Sequence, residues 1–197
     1  MSRAHTLTPS PLPLRGRGAI GRRSSAGSSP LPPRERGAIK SSSPFPLAGE
    51  GPGERAGSRI SIIGADRFRS IPSRSTLARW IRSALDHPAR ITLVLADART
   101  ARRLNHTYRQ RDYATNVLTF CYQEAPCVVA DIVVCVAVAR TEAAQQHMTL
   151  RAHLAHLVIH GVLHAQGYDH MRGADARQMQ AREAGHLARL KIPNPYE

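Results

Sequence analysis

The pattern of apolar and polar positions divides the chain into an irregular N-terminal segment and a periodic region that begins near residue 60. Short runs rich in Ile, Val, Thr and Phe predict strands, and longer stretches with apolar residues three and four positions apart predict helices. The predicted strands are 60–63, 90–95, 117–122 and 128–135. The predicted helices are 73–85, 97–108, 136–146, 150–165 and 175–190.

The order of these elements predicts an α+β (mixed α/β) fold, in which a small sheet of about four strands packs against helices. Asp97 is a favoured N-cap residue for the second helix. The strands at 117–122 and 128–135 are separated by a loop that is too short for a parallel crossover, so we expect at least one antiparallel pair. We therefore expect a single domain over residues 59–197.

The first 58 residues have a composition that disfavours a packed core. They contain 9 of the 14 prolines and 9 of the 14 glycines, and Ser-Pro-Leu-Pro at 10–13 returns at 29–32. Each repeated unit has too few aliphatic residues to bury an apolar face, so we expect this segment to be disordered. Its prolines disfavour an organelle transit peptide. Our preferred interpretation is repeat DNA translated upstream of the true start codon.

The chain is strongly basic, with a formal net charge of +14, and residues 59–197 keep 19 basic and 11 acidic side chains. This charge favours a polyanion such as RNA as a partner, although a solvated arginine-rich surface would look the same. No apolar run approaches the roughly 18–20 residues of a membrane span, and no secretory signal follows the N-terminus. Three cysteines without a C-x-x-C pair disfavour a disulfide framework. We expect a cytoplasmic protein without a membrane partner.

Histidines are concentrated between residues 147 and 170, where six of the ten occur. The helix predicted at 150–165 is apolar nearly all round except for one stripe of imidazoles, an unfavourable arrangement unless the stripe faces a ligand or a cleft. His160 and His164 are one turn apart, about 6 Å along the helix axis. Both imidazoles can therefore reach one metal ion at the roughly 2.0–2.1 Å of a Zn–N bond.

The third ligand has to come from outside this helix. His156 lies about 12 Å from His164 along the axis, which is too far for the three imidazoles to share one ion. Gly167 offers the left-handed residue that ends a helix and reverses the chain, and His170 follows it. The pattern H-x-x-x-H-x-x-G-x-x-H therefore predicts one zinc ion held by His160, His164 and His170, with a fourth position left for water as in catalytic sites.

Other positions in this segment keep alternative interpretations. His156 either donates an N–H that orients a ligand or is a satisfied core histidine, and His147 and His153 lie on the helix surface or behind the ligands. The spacing matches the metzincin proteases, except that Gly161 stands where they carry a glutamate general base. Peptide hydrolysis is therefore disfavoured. A helical glycine is also about 1 kcal/mol less favourable than alanine, so we expect another segment to approach closely there.

The segment H-G-V-L-H-A-Q-G-Y-D-H at 160–170 closely resembles the H-G-x-L-H-x-x-G-Y-D-H signature of the bacterial YbeY family. Two further blocks resemble that family. The first spans residues 104–120 and consists of L-N-H-T-Y-R at 104–109, Asp112 and T-N-V-L-T-F at 115–120. The second is A-D-I-V-V-C at 130–135. The resemblance covers about residues 60–197 and none of the preceding 58. It departs from the family at Ala130, where glycine is usual, and at Cys121, where proline is common.

Members of that family are zinc-dependent endoribonucleases of rRNA maturation and ribosome quality control. The resemblance implies a zincin-like helix with His160, His164 and His170 as ligands of one Zn²⁺. It makes Arg109 the functionally important arginine of the cleft, where its guanidinium would brace a phosphate oxygen. It further implies single-stranded RNA at the 3′ end of 16S rRNA as substrate, ribosomal particles as targets, and ribosomal proteins or assembly GTPases as partners.

Two other functions remain open at this point. One is a metalloprotease-like hydrolase, and the other is a ribosome-assembly factor whose zinc is mainly structural. The sequence identifies no general base. Asp169 and Asp131 are candidates by their carboxylate chemistry alone, and Asp169 could equally hold a ligand histidine in place.

Overall fold

The computed structural model describes residues 57–168 and 173–196. The disorder predicted for the first 58 residues therefore lies outside the described residues, except at positions 57 and 58, which are exposed and lead into the first strand. Within the described ranges, no helix combines the length and the apolar character that crossing a membrane would require.

In the described residues, four strands and five α-helices follow one another in the predicted order, so the mixed α/β fold is confirmed. The strands are β1 (Arg59–Ile63), β2 (Ala89–Ala96), β3 (Val117–Gln123) and β4 (Val128–Cys135). The helices are α1 (Arg74–Ser83), α2 (Ala98–Arg109), α3 (Val136–Gln145), α4 (Leu150–Ala165) and α5 (Gly173–Arg189).

Side-chain caps explain where three of the helices begin. The Ser73 hydroxyl accepts from the Thr76 amide and begins α1, and the Thr149 hydroxyl does the same for the Ala152 amide in α4. The predicted N-cap Asp97 accepts from the Thr100 amide at 2.8 Å. Each such bond satisfies one of the amides that a helix N-terminus leaves without an intrahelical partner. Short local signals therefore set these boundaries.

The sheet has the strand order β1-β2-β4-β3, with β1, β2 and β4 parallel and β3 antiparallel to β4. The predicted antiparallel pair is therefore present. β4 lies between β2 and β3, and β3 forms one edge of the sheet.

Alternating residues of the strands build two apolar clusters, one on each face of the sheet. The larger cluster combines Ile91, Leu93 and Ile132 with side chains of α1, α3, α4 and α5. The smaller one combines Val94 and Val133 with residues of α2 and β3. The sheet thus separates α2 from α4, and this separation decides which predicted site residues can meet.

Candidate metal centre

Helix α4 is the most enclosed element of the fold. Fourteen of its sixteen residues are buried, and it contacts β3, β4, α1, α3 and α5. A polar side chain on this helix is therefore withdrawn from water and needs a partner inside the protein, because an unsatisfied buried polar group is destabilising by about 1–3 kcal/mol.

Gly161 marks the side of α4 that lies on the sheet. A Cβ atom at this position would lie 2.7 Å from Ile132 Cγ2 and 3.2 Å from Thr119 Oγ1. The Thr119 hydroxyl also donates to the Gly161 carbonyl at 3.5 Å. The predicted close approach is confirmed, and it fixes the rotation of α4 about its own axis.

His160 and His164 are brought together by this rotation. Their rings are buried, their centroids are 4.4 Å apart, and their Nε2 atoms face each other at 3.0 Å. Two nitrogens at tetrahedral positions around one zinc ion would lie roughly 3.3 Å apart. The pair therefore has nearly the spacing that a shared ion requires.

The other nitrogen of each ring meets an acceptor. His160 Nδ1 lies 2.6 Å from Glu183 Oε1, and His164 Nδ1 lies 2.7 Å from the carbonyl oxygen of Tyr168. A carbonyl oxygen and an ionised carboxylate can only accept, so each Nδ1 carries the proton and donates it. In the neutral rings both Nε2 atoms then present lone pairs to each other. This arrangement is unfavourable without a cation or a proton between them, so the donor set fits a metal ion.

The turn at the end of α4 supplies the second of these acceptors. Gly167 has φ +88°, its amide donates to the His164 carbonyl, and the Tyr168 amide donates to the Leu163 carbonyl. This is the Schellman pattern that ends a helix with a left-handed glycine, as the sequence predicted. The turn brings the Tyr168 carbonyl back to the His164 ring. The predicted third ligand, His170, lies outside the described residues.

Glu183 of α5 is the acceptor of the hydrogen bond from His160 Nδ1. Its side chain is 1% exposed, and it also accepts from the Tyr196 hydroxyl. Burial alone would raise the pKa of Glu183, but the His156 and His160 imidazoles outweigh it and hold the pKa well below its ordinary value. Glu183 is therefore a carboxylate at neutral pH.

The third imidazole of the stripe, His156, lies beside the same carboxylate. Its Nε2 is 3.3 Å from the Tyr196 hydroxyl and 3.6 Å from Glu183 Oε2. His156 thus contacts the groups that hold His160 rather than pairing with His164. Burial raises the pKa of Tyr196 first, and the neighbouring Glu183 charge raises it further, so the phenol stays protonated and donates.

His156, His160 and Glu183 also form a possible metal site of their own, because their potential ligand atoms all lie within 4.8 Å of one another. The 2.6 Å separation of His160 Nδ1 and Glu183 Oε1 is, however, a hydrogen-bond distance. Two ligands of one zinc ion stand farther apart than this. The carboxylate is therefore better placed to orient His160 than to share an ion with it.

The residue that supplies the carbonyl to His164 is itself anchored through its side chain. The Tyr168 hydroxyl donates to Asp86 at 2.9 Å, and the Arg182 guanidinium pairs with the same carboxylate at 2.9 Å. Arg182 also lies 4.4 Å from the centre of the Tyr168 ring. These contacts connect the turn after α4 to α5 and to the loop after α1.

Arg109 lies apart from the imidazole pair. It is the last residue of α2, half-buried, on the opposite face of the sheet from α4. Between them lies β3, because Tyr108 packs on Phe120 from one face while the Cys121 thiol donates to the Ala165 carbonyl from the other. Arg109 and the histidines therefore lie on either side of the edge strand.

The remaining predicted positions have different surroundings. Asp131 is fully buried, accepts from the Tyr122 hydroxyl at 3.0 Å and points away from α4, which disfavours it as a general base. His153 is buried and pairs with Glu142 at 2.8 Å, which rules out the helix-surface alternative for this residue, whereas His147 is exposed. Asp169 lies outside the described residues.

Sequence reasoning missed Glu183, although a signal for it exists. Met179 and Leu187 are buried one turn before and one turn after it on α5, so Glu183 occupies the middle of an apolar stripe. A carboxylate in that position must be paired inside the protein. Tyr196 gives no comparable signal, because nothing local indicates that the chain returns to α4.

Comparisons with known proteins find relatives of this chain. A family model described as Endoribonuclease YbeY matches residues 65–191. Proteins called Endoribonuclease YbeY are 50% identical to this chain over 137 residues in Burkholderia pseudomallei and 46% identical over 140 residues in Thiobacillus denitrificans. The aligned parts cover 68% and 70% of this chain, and 74% and 95% of those proteins.

Two further matches differ in length or similarity. A Burkholderia thailandensis protein of the same name is 51% identical over 137 residues, which are 68% of this chain and only 31% of that longer protein. A solution structure of the Thermotoga maritima protein TM1509 has 21% identity and a TM-score of 0.44, covering 67% of this chain and 91% of that one.

Proposed function

This chain belongs to the YbeY endoribonuclease family, and we propose that it cleaves RNA with a metal ion held at the C-terminal end of α4. The observation that carries the proposal is the pair of Nε2 atoms that face each other at 3.0 Å while both Nδ1 atoms donate to fixed acceptors. Such a pair is suited to share a cation.

We propose His160, His164 and His170 as the ligands and Zn²⁺ as the ion. Three imidazoles with one open position are the donor set of catalytic zinc sites. When bound, Zn²⁺ would supply Lewis-acid polarisation of a phosphoryl oxygen and activation of a water molecule.

The chain's own residues prepare this site by fixing the orientation of the rings. Glu183 and the Tyr168 carbonyl accept hydrogen bonds from the two Nδ1 atoms, so the lone pairs of both Nε2 atoms point to the proposed metal position. The negative charge of Glu183 also raises the basicity of the His160 imidazole, which makes its Nε2 a stronger ligand for a metal ion. Because α4 is buried, neither ring can turn away into solvent.

Arg109 would act on the substrate rather than on the ion. A guanidinium is always charged and offers paired N–H donors to the oxygens of a phosphodiester. Arg109 is half-buried at the end of α2, next to the edge strand that separates it from the imidazoles. A single strand of RNA crossing this edge would meet the arginine on one side and the metal on the other.

The substrate that we propose is single-stranded rRNA, at the 3′ end of 16S rRNA and within ribosomal particles. The family name supports RNA as the substrate, and the positive charge of the chain supports binding to its backbone. We also propose that the protein acts in ribosome quality control in the cytoplasm, with ribosomal proteins or assembly GTPases as partners. We further propose that residues 59–197 form the enzymatic domain and that residues 1–58 are dispensable.

A metalloprotease function is disfavoured by the position of Gly161. Metzincins place their general base directly after the first histidine. In this fold that position contacts Ile132 and Thr119 of the sheet. A carboxylate there would face the sheet and not a substrate above the imidazoles.

The test is cleavage of purified rRNA and of casein, with and without a chelator. We expect chelator-sensitive cleavage of rRNA alone. His164→Ala should lose most bound zinc and the cleavage, whereas His87→Ala, a matched control at an exposed histidine, should retain both. A His164→Ala protein that folds, fails to cleave and still supports ribosome maturation would assign the zinc a structural role instead.

A further inference from the structure

The exposed side of α2 carries a row of basic side chains that the reaction described above does not use. Arg99, Arg103 and His106 are all exposed and lie within about 60° of one another around the helix. The opposite side of α2 is buried through Ala101, Leu104 and Asn105. We call the three exposed residues the α2 basic face.

This face borders a surface depression of about 310 Å³ that two further residues help to line, Arg102 and Asp112. The Arg102 guanidinium donates to both oxygens of Asp112 at 2.7 Å, so its charge is already compensated. Within the described part of the chain, Arg99 and Arg103 form no ion pair. Their charges therefore remain available on one wall of the depression.

The arrangement is unfavourable for the helix itself. No acidic residue occupies the first turn of α2, and Arg99 stands there, where the partial positive charge of the helix N-terminus repels a cation. Arg99 and Arg103 are four residues apart and repel each other as well. The Asp97 carboxylate at the N-cap interacts with Arg99 and relieves part of the first repulsion. An external anion would relieve the repulsion between the two arginines, and such a pair of exposed like charges is typical of a binding surface.

We propose that the α2 basic face binds the phosphate backbone of single-stranded RNA and thereby delivers the substrate strand to Arg109. This inference rests on the proposed function, because it takes RNA as the substrate. Arg99 and Arg109 are separated by about 15 Å along the same helix. A strand held by Arg99 and Arg103 can thus follow α2 to its C-terminal end and to the edge strand β3.

The location of the face predicts which kinetic constant it changes. It lies on α2, across the sheet from α4, so it cannot touch the reacting phosphate when that phosphate is at the imidazoles. It therefore contributes to binding of the strand and not to the chemical step. Its loss should raise KM and leave kcat unchanged.

The test compares three variants in binding of a fluorescent single-stranded oligouridine and in cleavage of rRNA. Arg99→Gln/Arg103→Gln removes two charges while keeping good helix formers. Arg99→Lys/Arg103→Lys keeps both charges. Arg79→Gln/Arg177→Gln is the matched control, because it removes two exposed arginines from α1 and α5 on the other face of the sheet.

We expect the first variant to reduce the slope of log K against log salt by about 1.4, since each phosphate contact on a single strand contributes about 0.7. Near 0.15 M salt, this corresponds to roughly tenfold weaker binding. KM for rRNA should rise by a similar factor with kcat unchanged. The lysine variant and the control should bind and cleave as the wild type does, and no variant should have a lower thermal unfolding midpoint than the wild type.

The possible failures are distinguishable. A wild-type protein that neither binds the oligonucleotide nor cleaves rRNA would overturn the proposed function together with this inference. A cleaving wild type whose glutamine variant matches the control would overturn only the inference. Unchanged oligonucleotide binding with loss of binding to ribosomal particles would assign the face to a protein partner and would also overturn it.

Discussion

Replacing Glu183 by glutamine tests whether the buried carboxylate orients the proposed metal ligand His160 or merely fills the core. Glutamine keeps the shape of the side chain but removes its charge and one of its two acceptor oxygens. Glu183 accepts hydrogen bonds from His160 Nδ1 at 2.6 Å and from the Tyr196 hydroxyl. In Glu183→Gln one of these donors must face the amide NH₂ group.

The size of the effect follows from the burial of this group. Glu183 is 1% exposed, so solvent does not replace the lost bond. Loss of a hydrogen bond to a charged group should reduce the free energy of unfolding by about 1.5–3 kcal/mol. If His160 is the proposed zinc ligand, loss of the partner that orients it should weaken zinc binding about 10–100-fold, which is about 1.4–2.8 kcal/mol.

The assay is zinc titration against a chromophoric chelator, with urea unfolding of the metal-free protein measured alongside. Glu142→Gln is a close control, because Glu142 also pairs with a buried histidine of α4, His153, at 2.8 Å. We expect Glu142→Gln to change stability and not zinc affinity. If Glu183→Gln lost stability but bound zinc within about twofold of the wild type, the orienting role would be refuted.

The same variant has a predicted pH dependence. The pKa of Glu183 in the folded protein lies below its ordinary value of 4.5, so the unfolded chain takes up this proton first as the pH falls. The stabilisation by the carboxylate is therefore complete above about pH 4.5 and declines as the pH falls towards the lowered folded value. We expect the stability difference between wild type and Glu183→Gln to shrink in acid, as followed by urea unfolding from pH 7 to pH 3.

Three further substitutions test the surrounding structure. Gly161→Ala should destabilise the protein by about 1–3 kcal/mol, because its methyl group would lie 2.7 Å from Ile132 Cγ2. In Gly185→Ala of α5, the methyl group would meet no described atom within 4 Å beyond the backbone of its own helix, so this control should be neutral or stabilising by up to about 1 kcal/mol in the same urea titration. Asp97→Ala should lower the free energy of unfolding by about 1 kcal/mol at pH 7 through loss of the α2 N-cap. This difference should diminish near pH 4 and below, because the cap bonds lower the pKa of Asp97 in the folded state. Arg109→Lys should lose cleavage while zinc content stays at the wild-type level, since lysine lacks the planar pair of donors; full cleavage by this variant would show that charge alone suffices.

The parts of the candidate site that the sequence predicts are those that depend on local periodicity. His160 and His164 are one helical turn apart, and the left-handed turn at Gly167 follows from a glycine at the end of an apolar helix. The N-cap at Asp97 is equally local. These features need no knowledge of the tertiary structure, because the backbone geometry of a single helix determines them.

The parts that the sequence did not predict depend on which elements pack together. Glu183 reaches His160 from 23 positions farther along the chain, and Tyr196 reaches His156 from 40 positions farther along. No periodicity specifies either approach. The face of the sheet on which a strand residue lies also depends on packing between elements. Asp131 and Ile132 are neighbours in β4, but only Ile132 faces α4. Whether a carboxylate on a strand can reach the imidazoles thus depends on alternation and sheet order together.

The rotation of α4 connects packing to chemistry. Gly161 lies about 100° around the helix from His160, and its contact with Ile132 and Thr119 turns that side of the helix onto the sheet. Any side chain larger than hydrogen at residue 161 would push α4 away and displace the imidazoles from Glu183 and the Tyr168 carbonyl. The contact that excludes a general base at this position is therefore the same contact that aligns the two Nε2 atoms. Position 161 therefore has no room for the glutamate that serves as the general base of metzincins.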